Sequence, residues 1–140
     1  MIRFLSFLLF LLCCHSSMGM AQGKKDMKDY WIDKYLSVSF PLESIRINST
    51  FGSRVDPFTG KHKQHKGLDL RARYEEVLSM FDGYVKGVGY DSGSGKYITM
   101  QYGDYTVSYC HLSEIWVSDN QKVYAGDPIG ISGTTGRSTG

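Results

Sequence analysis

The side chains of this 140-residue chain best suited to hold a metal or move a proton are His65, Asp69 and His111, with Cys110 beside the last. Imidazole nitrogen and carboxylate oxygen both suit zinc. His65 and Asp69 stand four apart in His65-Lys66-Gly67-Leu68-Asp69. That spacing aligns two side chains on a helix, but Gly67 and the strand-like surroundings oppose a helix. On an extended strand the two share a face yet lie roughly 13 Å apart, too far for one ion. A shared metal therefore requires a bend near Gly67. Taken alone, the spacing also fits a surface His followed by a turn-capping Asp.

His111 closes a strand-like run. Period-two alternation puts Tyr105, Val107, Tyr109 and His111 on one face and Thr106, Ser108 and Cys110 on the other. A Cys next to a His invites a nucleophile pair. The alternation turns Cys110 away from His111, so Cys110 reads as a buried, inert residue. His111 itself is either a functional residue or an exposed strand end. His62 belongs to the basic run Lys61-His62-Lys63-Gln64-His65-Lys66, which reads as a solvated loop.

The elements that must position these residues are short strands between turns. Thr50 to Val55 is closed by Asp56-Pro57-Phe58-Thr59-Gly60, and Gly67 to Leu70 is extended. Glu76 to Phe81 leads into Asp82-Gly83, read as a hairpin turn. Tyr84 to Tyr90 follows, then a flexible loop at Ser92 to Gly95. Tyr97 to Tyr102 and Tyr105 to Tyr109 make a second hairpin around Gly103-Asp104. Val123, Ile129 and Ile131 mark the last strands. The expected fold is all-β, a mostly antiparallel sandwich or partly open barrel. Tyr30 to Leu36 adds a short N-terminal helix or aromatic strap.

Residues 1–21 have the layout of a secretory signal peptide. Arg3 supplies a charge, Phe4 to Cys14 is almost wholly apolar, and Gly19-Met20-Ala21 is a small-residue cleavage site. A retained anchor is the alternative. A lipoprotein is disfavoured because Leu11 and Leu12 precede Cys13 where small residues belong. Export is therefore expected, to the periplasm, cell envelope or extracellular space, with membrane contact only through the signal peptide. Residues 22–44 read as a leader and 45–140 as one domain. Cleavage after Ala21 removes Cys13 and Cys14 and leaves Cys110, which excludes an internal disulfide and a Cys-rich zinc site. The formal net charge of +2 leaves no electrostatic footprint for nucleic acid.

These blocks together resemble the M23 (lysostaphin- or LytM-like) zinc metallopeptidases, of duplicated-hybrid-motif type. Phe51-Gly52-Ser53-Arg54-Val55-Asp56-Pro57 with Gly60 is similar to the family's opening Gly-x-Arg motif and turn. His65-Lys66-Gly67-Leu68-Asp69 is similar to its His-x-Gly-x-Asp motif, and Asp82-Gly83-Tyr84-Val85 to its Asp-Gly-x-Val. Tyr109-Cys110-His111-Leu112 resembles its Tyr-x-His-Leu, and Val123, Gly126, Ile129-Gly130 and Gly133-Thr134-Thr135-Gly136 its closing pattern.

The resemblance implies Zn2+ as cofactor, with His65 and Asp69 as metal ligands and His111 as catalytic histidine. It implies a zinc endopeptidase acting on peptidoglycan cross-links or stem peptides. The family's terminal His-x-His strand, source of a third ligand, has no counterpart in residues 1–140, so this stretch is expected to be inactive by itself. Tyr74 and Glu76 fall where the family often has Gly and Pro, and Ser79 where it often has Ala. Two other classes remain open. One is a non-catalytic module that binds cell wall or activates a separate hydrolase. The other is a biotinyl/lipoyl-like carrier, which would need a lysine at a hairpin tip where Asp82-Gly83 and Gly103-Asp104 offer none. Nothing in the sequence sets an oligomeric state.

Overall fold

The computed structural model describes residues 27–138, so the expected signal peptide lies outside the described residues. The chain divides into two units between Lys34 and Tyr35. Helix α1 (Met27–Leu36) settles the choice between helix and strap for this segment. Asp29 in its first turn meets the positive end of the helix dipole.

The second unit is built from short antiparallel strands. Its centre is a four-stranded sheet ordered β10 (Lys122–Val123), β6 (Gly83–Asp91), β7 (Gly95–Tyr102) and β8 (Tyr105–Leu112). A three-stranded sheet runs β5 (Glu76–Leu78), β11 (Pro128–Ile131) and β9 (Glu114–Ile115). Two ribbons complete it. One pairs β1 (Ile47–Ser49) with β4 (Asp69–Leu70), the other β2 (Gly52–Val55) with β3 (His62–His65). Ahead of them, Val38 bridges Phe81, and Leu78 N–H donates to the Pro41 carbonyl along β5. This antiparallel, nearly all-β architecture is of the expected class.

Alternation explains the core. On β7, Ile98, Met100 and Tyr102 face inward, and Val85, Leu112, Val123 and Ile129 meet them from neighbouring strands. Ile98 and Ile129 are 0% exposed. Each such side chain stabilises the fold by roughly 1.5–3 kcal/mol relative to exposure. One polar chain crosses this core. Ser79 Oγ lies 2.9 Å from Tyr102 Oη, Tyr102 Oη lies 2.8 Å from Tyr109 Oη, and Met80 N–H donates to Tyr109 Oη at 3.0 Å. Ser79 also donates to the Phe81 carbonyl, so its hydroxyl is fully used. Burial first, then the Tyr102 hydroxyl, pushes the Tyr109 phenol above its ordinary value.

The hairpin at Gly103-Asp104 forms as expected, with Tyr102 opposite Tyr105 and Gly103 at φ 56°. Asp82-Gly83 does not make one. The strand before it, β5, pairs with β11 in a different sheet, so these residues carry the chain across between sheets. Asp82 is occupied in accepting Ala125 N–H at 2.9 Å. Gly83 is needed for proximity, since a Cβ there would meet the Gln101 carbonyl and the Tyr102 ring. The Ser92–Gly95 loop is pinned. Asp91 accepts the N–H groups of Gly93 and Ser94, and Arg137 N–H donates to the Gly93 carbonyl.

Candidate metal and catalytic site

The bend that the spacing of His65 and Asp69 requires is present, and its cause is a change of partner. β3 ends at His65, where it pairs with Gly52 of β2; β4 begins at Asp69, opposite Ser49 of β1. Residues 66–68 carry the chain from one ribbon to the other. His65 Nε2 thereby comes to 3.1 Å from Asp69 Oδ1. Gly67 sits under the turn, where a Cβ would stand 3.8 Å from that same nitrogen.

Both side chains are held from behind. His65 Nδ1 lies 2.9 Å from the Thr50 carbonyl oxygen. A carbonyl only accepts, so Nδ1 carries the proton and Nε2 of the neutral ring presents its lone pair. Asp69 uses its second oxygen, Oδ2, to accept from Arg54 Nη1 at 3.0 Å, leaving Oδ1 toward His65. An imidazole fixed by a backbone carbonyl and a carboxylate fixed by a donor make the outer arrangement that metal ligands require. The donor set and its supports therefore fit two ligands of one zinc ion. The Arg54 contact was not foreseen. Its trace in the sequence is only Arg54 itself, in the Gly-x-Arg block.

His111 is carried by a different element, β8. Lys96 pairs with Leu112 and Ile98 with Tyr109, so a bulge at Cys110-His111 interrupts β8. His111 takes a left-handed backbone, φ 61°, a conformation uncommon outside Gly, Asn, Asp and His. The expected alternation therefore fails there. Leu112, not His111, takes the buried place after Tyr109, and His111 is half-buried. Its Nδ1 lies 2.8 Å from the Thr135 carbonyl oxygen, which again leaves Nε2 as the free ring nitrogen. Thr135 is fixed in turn. Its hydroxyl donates to the Leu112 carbonyl at 2.7 Å and accepts from Lys96 N–H at 2.9 Å. Gly95 and Gly136 meet backbone to backbone beneath it, at φ 65° and 70°. The glycine-rich close thus holds the histidine, a role the residue pattern alone did not reveal.

A second fixture joins the closing segment to the β2–β3 ribbon. Arg137 Nη2 donates to both oxygens of Asp56 at 3.0 Å, and its guanidinium lies 4.6 Å from the Phe58 ring centroid. Asp56 also accepts Phe58 N–H at 2.8 Å and Thr59 N–H at 3.1 Å. The Phe58 N–H foremost, then Thr59 N–H and the Arg137 charge, hold the Asp56 carboxyl below its ordinary value despite burial. The ribbon carrying His65 and the segment positioning His111 are therefore clamped together.

Two sequence expectations change. Cys110 is exposed, not buried, because it lies with Thr106 and Ser108 on the uncovered face of β8. Partial desolvation by the sheet still raises its thiol pKa above the ordinary value. His62 is solvent-exposed as expected, but His62 to His65 of the basic run form strand β3 rather than a loop, since they pair with β2. Among the described residues, no group of three or more His, Cys, Asp or Glu side chains has the geometry of a metal site.

Residues 63–140 match the profile of Peptidase family M23. The chain is 38% identical over 107 residues to an uncharacterized metalloprotease of Buchnera aphidicola, covering 74% of this chain and 28% of that protein. It is 38% identical over 105 residues to the peptidoglycan DD-endopeptidase ShyA of Vibrio cholerae, covering 72% and 24%. It thus spans about a quarter of the length of the curated relatives it matches. Among solved structures, a zinc-containing peptidase from Vibrio cholerae superposes with TM-score 0.67 at 32% identity, covering 74% of this chain and 34% of that one. The catalytic domain of the antimicrobial peptidase lysostaphin from Staphylococcus simulans gives TM-score 0.62 at 28% identity, covering 68% and 73%.

Proposed function

The chain belongs to peptidase family M23, and from that premise we propose that its second unit is the hydrolytic domain of an exported zinc endopeptidase that cuts peptidoglycan cross-links or stem peptides. The observation that carries this reading is the approach of His65 Nε2 to Asp69 Oδ1 at 3.1 Å, with Thr50 and Arg54 fixing the far side of each group. His65 and Asp69 would hold zinc through Nε2 and Oδ1. Zinc, when bound, polarises the scissile carbonyl and lowers the pKa of a coordinated water.

The remaining work falls to the chain's own groups. Thr50 keeps the His65 proton on Nδ1. Arg54 draws one carboxylate oxygen of Asp69 aside, which sets the direction of the other. His111, with Nδ1 committed to Thr135, offers Nε2 to accept a proton when neutral or to donate toward a developing oxyanion when protonated. The clamp between Asp56 and Arg137 maintains the relation of the two histidine-bearing parts.

A catalytic zinc normally takes three protein ligands and keeps one position open. Residues 1–140 offer two, so this stretch by itself is proposed to bind zinc weakly and to cleave little. The lack of a three-member ligand group among the described residues favours one other reading, a non-catalytic wall-binding or hydrolase-activating module. Zinc titration and peptidoglycan digestion separate the two. They would be run on the 140-residue protein and on a fusion adding a His-x-His strand after Gly140. The peptidase reading expects the fusion to gain tight zinc binding and chelator-sensitive cleavage, both lost in H65A. A fusion that binds zinc no better than the 140-residue form would sink it.

A further inference from the structure

We propose that Arg71 and Arg73 form a carboxylate-binding subsite beside the His65–Asp69 pair, one that reads an anionic group on the peptide being cut. The inference rests on the peptidase reading and names the chemistry of the substrate for that same site.

Leu70 and Ala72 pack against the core, while Arg71 and Arg73 are exposed in the segment that follows β4. Arg71 follows Asp69 by two residues, about 7 Å of extended chain, and Arg73 stands at the bend beyond it. Both arginines line a cleft of about 430 Å³ whose other walls are Asn48 of β1, Tyr74, Gly133 and Thr134. The cleft touches both halves of the candidate site in sequence. Arg71 lies two residues after Asp69, and Thr134 immediately precedes Thr135, whose carbonyl holds His111.

No acidic side chain lines this cleft; the one acidic residue of the adjoining cleft that shares both arginines is Glu75. Arg54 and Arg137 are committed to Asp69 and Asp56, whereas the side chains of Arg71 and Arg73 make no hydrogen bond or ion pair among the described residues. Two exposed arginines lining one cleft present planar forks that match a carboxylate in two-pronged fashion. The wall between them and the close is shaped by backbone. Tyr74 is held in a left-handed conformation, φ 55°, and Gly133 approaches Ser113 so closely that a Cβ would collide with it. A peptide whose reacting bond lies at His65–Asp69 and whose chain continues past Arg71 would bring a carboxylate, either terminal or on a side chain, to the arginines.

Calorimetric titration of the 140-residue protein with a synthetic stem-type pentapeptide tests this without turnover. The peptide would carry a free C-terminus and one acidic side chain, and would be compared with forms amidated at each carboxylate in turn. Amidation of the bound carboxylate should weaken binding about tenfold or more, as expected for hydrogen bonds to a charged group, and the two amidated forms tell which carboxylate it is. R71Q/R73Q should show the same loss and become indifferent to amidation, while R71K/R73K falls between. Both positions are exposed, and an unchanged thermal midpoint would certify folding. Wild-type protein that binds all forms equally, or none, would overturn the proposal, as would R71Q/R73Q retaining the discrimination. H65A keeps this reading separate from the peptidase one. It should preserve carboxylate discrimination, so a fusion that cleaves but does not discriminate fails the subsite alone. Discrimination without zinc-dependent cleavage fails the peptidase reading alone.

Discussion

The central sheet and the two ribbons beside it are held together by different forces. β6, β7 and β8 form long ladders, each pairing broken by one bulge, and their inner faces supply most of the buried apolar side chains. The ribbons that carry His65, Asp69 and Arg54 are two to four residues long, and their large apolar side chains Ile47, Phe51, Val55 and Phe58 are exposed. What fixes the ribbons is polar and local: Arg54 on Asp69, Thr50 on His65, Arg137 on Asp56. A domain organised this way places its stability in one region and the proposed metal site in another. Changes to the sheet should therefore unfold the protein, while changes to the ribbons should alter the site with little effect on the fold.

The largest effect is expected in the sheet. Ile98→Ala removes a side chain that is 0% exposed at the middle of β7, and should cost about 2–5 kcal/mol. Urea denaturation followed by tryptophan fluorescence would measure it. A loss below about 1 kcal/mol would mean that the centre repacks freely, and the contrast between regions would weaken.

Next come the ribbon residues around the metal position. Asp69→Ala removes one of the two fitted donors and should lower the zinc affinity of a His-x-His-supplemented protein by orders of magnitude, with the urea midpoint nearly unmoved. Arg54→Gln leaves Asp69 in place but frees its carboxylate, and should reduce zinc affinity about 10- to 100-fold, the usual effect of losing a partner of a metal ligand. Competition with a chromophoric chelator reads both. Equal affinity in wild type and Arg54→Gln would show that Asp69 needs no outer support.

Much of the sheet was legible in the sequence, and so was the bend that brings His65 to Asp69. The strands Tyr97–Tyr102 and Tyr105–Tyr109 declare themselves through local alternation and a two-residue turn, which depend only on near neighbours. The errors fall where distant partners decide. Asp82-Gly83 has hairpin composition, but β5 finds β11 some fifty residues later and the turn becomes a crossover. His111 leaves the alternation because Ser94 O and Thr135 O capture its backbone and ring. Cys110 lies on a face that no further layer covers, which composition does not disclose. The Arg137–Asp56 clamp joins residues 81 apart in sequence, beyond any periodicity. Tyr74, noted for standing where relatives often have Gly, indeed takes the left-handed backbone that Gly adopts without strain.

The clamp offers a smaller, pH-dependent test. The Asp56 carboxyl is held below its ordinary value of 3.8 by Phe58 N–H first, with Thr59 and Arg137 adding to it. A carboxyl depressed on folding adds stability that is present above the unfolded pKa. That stability is lost as the pH falls through the lower, folded value. Asp56→Asn should therefore lower the thermal midpoint at neutral pH and flatten its decline below about pH 4, where the wild-type contribution disappears. Wild type and variant should converge at the acid end. Parallel midpoint curves from pH 7 to 2 would show that the clamp contributes no linked stability.

The smallest effect is expected at Cys110, and it tests whether exposure alone governs behaviour on the outer face of the sheet. The residue is exposed, so a purely geometric argument expects rapid alkylation. Thiolate is the reactive species, however. Desolvation by the surrounding sheet, aided by the Asp91 charge and only partly offset by the Ser94 side chain, raises the thiol pKa above its ordinary 9.0. At pH 7.4 the thiolate fraction should fall below that of a free cysteine, and iodoacetamide should react more slowly than with glutathione at the same pH. Cys110→Ala should change stability by no more than about 0.5 kcal/mol, since no core contact is lost. It should also leave zinc affinity unaltered, because Cys110 is not among the fitted donors. Alkylation faster than glutathione would mean that Asp91 and the sheet do not suppress the thiolate. The outer face beside His111 would then be a more polar environment than the arrangement of Asp91, Ser94 and Cys110 implies.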